Sequence, residues 1–304
     1  LRYLFGQDFI QYVADTTEPD AWSRFIHIYG GWIPYWLPTK RAFGRRLVPM
    51  YKDWKDHLEQ RYGDQQKQVE ESGITKTQRV SDGIATCMGP TWSPTGEQLV
   101  FSCAHPVDGS SIQLWSPEDD EGPREEMKGA FAKDFTWRAD GKAFFYSGTH
   151  TVDRFNLYDD VYFHTVGKPR SSLLTRGKRA RHPSLSPDGT ELIVVRNKLQ
   201  QNKLAKLQID QSLETLRSFD NHAQVATPVH SPNGEYLAAS IWEEGQRDIV
   251  VLHADGSHYR TVTNDAAHDM DPAWSADGRW LYFSSDRDSI FNIYAVELET
   301  EAVF

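Results

Sequence analysis

The sequence predicts a mainly β fold: a propeller of four-stranded blades, preceded by a small α-helical segment. Three observations carry this reading. One stretch recurs five times, ending at Gly96, Gly141, Gly189, Gly234 and Gly278, at spacings of 45, 48, 45 and 44 residues. That is the length of a four-stranded blade. Each recurrence joins alternating residues, a turn of the Asp/Asn/Thr-Gly kind and an apolar run, which is hairpin chemistry. Aromatic residues make up 12% of the 304, including 10 Trp, which favours sheet over helical bundle.

The first 63 residues have a different texture. Leu4, Phe5, Phe9, Tyr12 and Val13 fall at helical spacing. Pro19 and the acidic residues around it suit the start of a second helix, over 21–29. Residues 32–38 form an aromatic loop, 39–44 a short helix, and 48 to about 72 a longer one whose tail from Asp64 is polar. Residues 1–63 hold nine basic and seven acidic residues, against 24 and 36 in the rest. The expected organisation is a helical segment at 1–63, a linker at 64–75 and a propeller at 76–304.

Within each repeat the first strand carries a bulky residue four places before the glycine: Trp92, Trp137, Leu185 and Trp274, with His230 departing from the pattern. The Trp residues are expected as core packing. The second strand is an apolar run, such as Leu192-Ile-Val-Val195 or Leu281-Tyr-Phe-Ser284, suited to burial on both faces. A third strand begins 13 to 16 residues after the glycine, and a more polar fourth closes the unit at an exposed rim. A β-sandwich is the competing architecture, but it gives no reason to repeat one turn sequence five times.

Composition removes several functions. A net charge of −10 argues against a protein that tracks phosphates. Two Cys exclude a disulfide-built scaffold and a four-Cys zinc site. No apolar stretch approaches the ~20 residues of a membrane helix. There is no Gly-x-Ser-x-Gly elbow, no phosphate-binding loop and no dinucleotide fingerprint. Cys87 and Cys103 flank the first two strands of one blade, and two buried thiols are favoured over a bridge.

The run Asp269-Met-Asp-Pro-Ala-Trp-Ser-Ala-Asp-Gly278, with Trp280-Leu-Tyr-Phe-Ser284 after it, resembles the propeller repeat of the TolB family. The resemblance covers about residues 74–304. It does not extend to the WD-repeat family, since no Trp-Asp dipeptide occurs. It implies a bacterial periplasmic or cell-envelope protein and a ring of six blades. Five repeats therefore leave two expectations: a five-bladed ring completed by a strand at 74–80, or a larger ring cut at its C-terminus, which is the one favoured.

Tyr3, Gly6, Phe9 and Tyr12, then Ala42-Phe43-Gly44, then Trp54 and Leu58, are similar to the C-terminal helices of gluzincin-type zinc peptidase domains. The His-Glu-x-x-His such a peptidase needs is not in this chain. No catalytic or metal-ligating residue is therefore assigned here, and no cofactor.

Histidines and carboxylates gather just before the first strands of several blades, where a propeller places its central channel. Asp134, Arg181, His182, His222, His268, Asp269 and Asp271 are the candidate binding residues. They either grip a ligand or cap turns and brace blades. The expected function is a non-catalytic envelope module that binds a protein or peptide, with a cation in the channel as a further partner. The alternative is the accessory propeller of a zinc metallopeptidase whose catalytic motif lies outside this chain.

Overall fold

The computed structural model describes residues 2–28, 36–73, 76–81, 83, 85–198, 201–208, 211–219, 223–288, 290–299 and 303. The chain divides into two compact units, residues 1–78 and 79–304.

The first unit holds helices α1 (Arg2–Thr16), α2 (Ala21–Ile28), α3 (Trp36–Phe43) and α4 (Leu47–Ser72). Its core is Val13, Ala21, Ala42, Phe43 and Met50. Trp54 of α4 donates its indole N–H to Asp8 of α1 at 2.7 Å and meets Phe9 edge-on at 5.4 Å. Trp22 packs on Phe43 at 4.9 Å. Arg24 ties α2 to the end of α3 by donating to the Ala42 carbonyl. The third helix starts earlier than expected, at Trp36, because Pro38 fits a first helical turn. The polar tail from Asp64 stays helical to Ser72, and Gly73 caps it with φ +96°.

The second unit contains five antiparallel sheets in chain order. The first is β1 (Thr86–Trp92), β2 (Leu99–His105), β3 (Gly109–Trp115) and β4 (Arg124–Lys128). The second is β5 (Ala132–Trp137), β6 (Ala143–Val152), β7 (Asn156–Thr165) and β8 (Ser172–Leu173). The third is β9 (Ala180–Leu185), β10 (Leu192–Lys198), β11 (Gln201–Leu207) and β12 (Leu213–Ser218). The fourth is β13 (Gln224–His230), β14 (Tyr236–Glu243), β15 (Gln246–His253) and β16 (Arg260–Thr261). The fifth is β17 (Met270–Trp274), β18 (Trp280–Ser285) and β19 (Asn292–Glu297). Val303 adds one antiparallel bridge to Val296. The expected propeller of antiparallel blades is therefore present, with five blades among the described residues. Residues 76–80 form no strand: Lys76, Thr77, Gln78 and Arg79 are polar, exposed and unpaired with any sheet.

The blades hold together through four apolar layers, one between each successive pair. Second strands serve two layers at once. Leu192 and Val194 face the second blade, whereas Ile193 and Val195 face the fourth. Alternate side chains leave opposite faces of a strand, so a strand buried on both sides must be apolar throughout.

Polar braces supplement those layers. Trp137 donates from Nε1 to the Thr91 carbonyl at 3.0 Å, and Trp274 repeats this to Val229 at 3.1 Å. In the fourth blade His230 takes the Trp position, with Nδ1 2.9 Å from the Ser184 hydroxyl. Trp92 departs from its expected core role: it is half exposed and meets Trp115 of its own blade at 6.0 Å. Among the described residues no inner strand of an earlier blade lies against it, as β1 lies against Trp137 and β13 against the half-buried Trp274.

The turns follow their sequence. Gly189 adopts φ +74°, its N–H donates to the Ser186 carbonyl, and the Ser186 hydroxyl donates to Asp188 at 2.6 Å. That hydroxyl and the Thr190 donors hold the Asp188 carboxyl down to about 2.

Cys87 and Cys103 form a disulfide, contrary to the expected pair of thiols. They are directly opposed across β1 and β2, with Cα atoms 4.1 Å apart. That is near the ~4.5 Å of the closer kind of antiparallel pair, the spacing at which two side chains on adjacent strands can meet.

Candidate functional site

Every inner strand breaks register once. The breaks fall between Met88 and Thr91, Ala132 and Phe135, Arg181 and Ser184, Ala226 and Val229, and Met270 and Ala273. Such a bulge leaves one residue unpaired and re-aims its side chain. Four of these residues, each followed by Pro, are left-handed: Gly89 (φ +66°), His182 (+51°), Thr227 (+45°) and Asp271 (+55°). The second blade places Asp134 at the same point, followed by Phe135.

Three of the candidate residues meet there. His182 Nδ1 lies 2.9 Å from Asp134 Oδ1, linking the third blade to the second. Ser147 donates to the other oxygen of Asp134 at 2.5 Å. Burial pushes the Asp134 carboxyl up, but the bond and charge of His182, the Ser147 hydroxyl and the charge of Arg181 together hold it below the usual range. Asp271, from the fifth blade, moves the other way. Burial raises its pKa, the Asp134 charge raises it further, and His182 and Arg247 pull it down. Groups from four blades thus share one electrostatic neighbourhood. Asp271 remains accessible to water.

The other candidates have different roles. Asp269 is fully buried and accepts both of its long contacts, 3.1 and 3.3 Å, from the Arg287 guanidinium. Its backbone N–H donates to the Arg247 carbonyl. It braces the fourth blade to the fifth. His268 is half exposed and pairs with Asp286 at 3.4 Å. His222 lies outside the described residues. Among the described residues no group of three or more His, Cys, Asp or Glu gathers as a metal site.

Ser147, Thr227 and Arg247 were not expected. A signal existed for Ser147: a serine stands six residues after the turn glycine in four of five repeats, at 102, 147, 240 and 284. Ser240 approaches Thr227 at 3.4 Å, as Ser147 approaches Asp134. Arg247 carries no local signal, because only the curvature of the blades brings it near Asp271.

Residues 211–303 match the model of the TolB beta propeller domain. The Tol-Pal system protein TolB of Anaeromyxobacter dehalogenans is 31% identical over 108 residues, which is 36% of this chain and 24% of that protein. A TolB homolog of Chlorobium luteolum is 29% identical over 149 residues, covering 47% and 32%. The chain thus spans about a quarter to a third of the length of these relatives. Among solved structures, a putative TolB from Agrobacterium tumefaciens superposes with a TM-score of 0.59 at 20% identity, covering 72% of this chain and 80% of that one. TolB from Acinetobacter baumannii gives 0.60 at 13%, covering 72% and 53%. A puromycin-hydrolysing peptidase from Mycobacterium tuberculosis gives 0.52 at 19%, covering 74% and 39%. At these identities the structures speak for fold alone. With the repeat and the blade topology in agreement, residues 79–304 form a β-propeller, and within it residues 211–303 are TolB-like.

Proposed function

We propose that this protein is a non-catalytic propeller of the bacterial cell envelope or periplasm that binds a protein or peptide at the channel wall. The observation that supports it is the convergence of Asp134, His182 and Asp271 from three blades on a water-accessible surface. Two carboxylates whose charges oppose each other favour a ligand that brings an ammonium or guanidinium group between them. Strained left-handed residues are also concentrated there, a feature of ligand-binding surfaces. The Cys87–Cys103 bridge suits an oxidising compartment.

The test is selection of displayed peptides on the intact chain. Enriched peptides should carry Lys or Arg and lose at least about tenfold in affinity against Asp134→Asn combined with Asp271→Asn. Peptides that bind the double variant equally well would remove the channel as the site.

A second reading makes the helical unit the C-terminal helices of a zinc peptidase whose His-Glu-x-x-His lies outside this chain, with the propeller docking substrate. The aromatic core around Phe9, Trp54 and Phe43 is what favours it. Its test is the zinc content of the full-length gene product.

A further inference from the structure

The second blade carries a feature that the channel reading does not use. Strand β6 runs to the eleventh residue after its turn glycine, whereas β2, β10 and β14 stop at the ninth. Two extra residues lift the β6–β7 hairpin by ~7 Å beyond the corresponding hairpins. At its end Phe155 is 88% exposed and Leu157 68% exposed. Arg154 stands beside them, with one carboxylate, Asp153, in the same turn.

A basic loop is fixed against this arm. Arg176, Lys178 and Arg179 are all exposed. The loop is held in place from below by Asp160, which is fully buried and accepts from the Thr175 hydroxyl at 2.7 Å and the backbone N–H groups of Gly177 at 2.6 Å and Lys178 at 3.0 Å. Arg179 lies over the Tyr158 ring of the arm, 4.2 Å from its centroid. Asp159, the arm's next carboxylate, is engaged by Lys133 and Thr149. Four cations therefore surround two apolar tips on a chain whose net charge is −10.

We infer that the β6–β7 arm is a peripheral membrane-docking site that takes an anionic phospholipid surface. Exposed apolar tips at the end of a projecting hairpin suit insertion into a headgroup layer. Binding of this kind takes two signals, apolar insertion and a basic cluster, and both are present. Each cation near an anionic leaflet is worth about fivefold in partitioning. The attraction acts within a Debye length, so the acidic remainder of the body does not cancel it at physiological salt.

The experiment is co-sedimentation of the intact chain with vesicles of phosphatidylglycerol and phosphatidylcholine in equal parts, against phosphatidylcholine alone. Binding is expected only to the anionic vesicles and should weaken as salt rises. Phe155→Ser with Leu157→Ser, and separately Arg154→Glu with Lys178→Glu, should each lower partitioning by roughly tenfold or more. All four side chains are exposed, so the melting temperature should hold, and measuring it separates misfolding from lost contact. No binding to anionic vesicles, or binding that both variants retain, overturns the inference. So does a poly-glutamate peptide that binds the arm with Phe155 and Leu157 dispensable, which would make the partner an acidic polypeptide. The channel variants Asp134→Asn and Asp271→Asn should leave vesicle binding unchanged.

Discussion

The indole N–H of Trp137 donates to the main-chain carbonyl of Thr91 across a blade boundary. Trp274 does the same to Val229, three blades later. A buried carbonyl left without its donor costs about 1–3 kcal/mol. Trp137→Phe should therefore lower unfolding stability by about that amount, and calorimetry will read it as a fall in melting temperature. Trp92→Phe, at the same repeat position but half exposed, should cost well under half as much.

His230 occupies the Trp position of the fourth blade, and its titration should be visible in stability. Burial lowers its pKa to about 4, against the raising influence of Glu191 and Asp188. The unfolded side chain titrates near 6.5. Between those values the unfolded chain holds a proton that the folded chain does not. The contribution is therefore complete above pH ~6.5 and falls away as the pH drops to ~4, by about 3 kcal/mol. His230→Gln, which keeps a partner for Ser184 but does not titrate, should flatten denaturant midpoints across that window.

The disulfide closes a short loop, with its cysteines 16 residues apart in sequence. Loops of that size give about 3 kcal/mol through restriction of the unfolded chain. Cys87→Ser with Cys103→Ser should lose about that much, and a reductant should destabilise the parent protein but not the variant.

Gly89 and Gly189 separate two causes of strain. Both are left-handed, at φ +66° and +74°. A Cβ on Gly189 meets open space, whereas one on Gly89 would stand 2.5 Å from the Lys133 carbonyl oxygen of the next blade. Gly189→Ala should cost about 1–2 kcal/mol from backbone conformation alone. Gly89→Ala should cost clearly more, and equal losses in urea titrations would remove the close approach as a cause.

Thr227 is a β-branched residue at φ +45°. Such a residue there costs on the order of 1–3 kcal/mol. Thr227→Gly should raise stability in thermal melts. If it also weakens selected peptides, the strained wall takes part in binding.

The repeat made the blades legible because each one restates the same local chemistry: a glycine turn, a doubly buried strand, an alternating inner strand. Asp134, His182 and Asp271 were findable for the same reason, since they stand at one register position. Asp269 and His268, two and three residues before Asp271, were not separable from it by sequence. The bulge sets Asp271 near Asp134 and His182, and Asp269 turns inward to Arg287 instead. The bridge between Cys87 and Cys103 was hidden because it depends on which opposed pair is the close one. Trp92 shares the motif of Trp137 but not its neighbour, and the strand expected at 74–80 pairs with no sheet in its described residues, 76–80.

The left-handed bulge has a consequence for how this molecule can change. At Gly89, His182, Thr227 and Asp271 its backbone course is fixed by the kink and the following proline, and Asp134 stands at the same point with Phe135 after it. The five positions hold Gly, Asp, His, Thr and Asp. His182, Thr227 and Asp271 work as pegs in a common socket, so the chemical message there can be rewritten one peg at a time while the frame that displays it stays the same, whereas Gly89 is closed to any side chain by the Lys133 carbonyl.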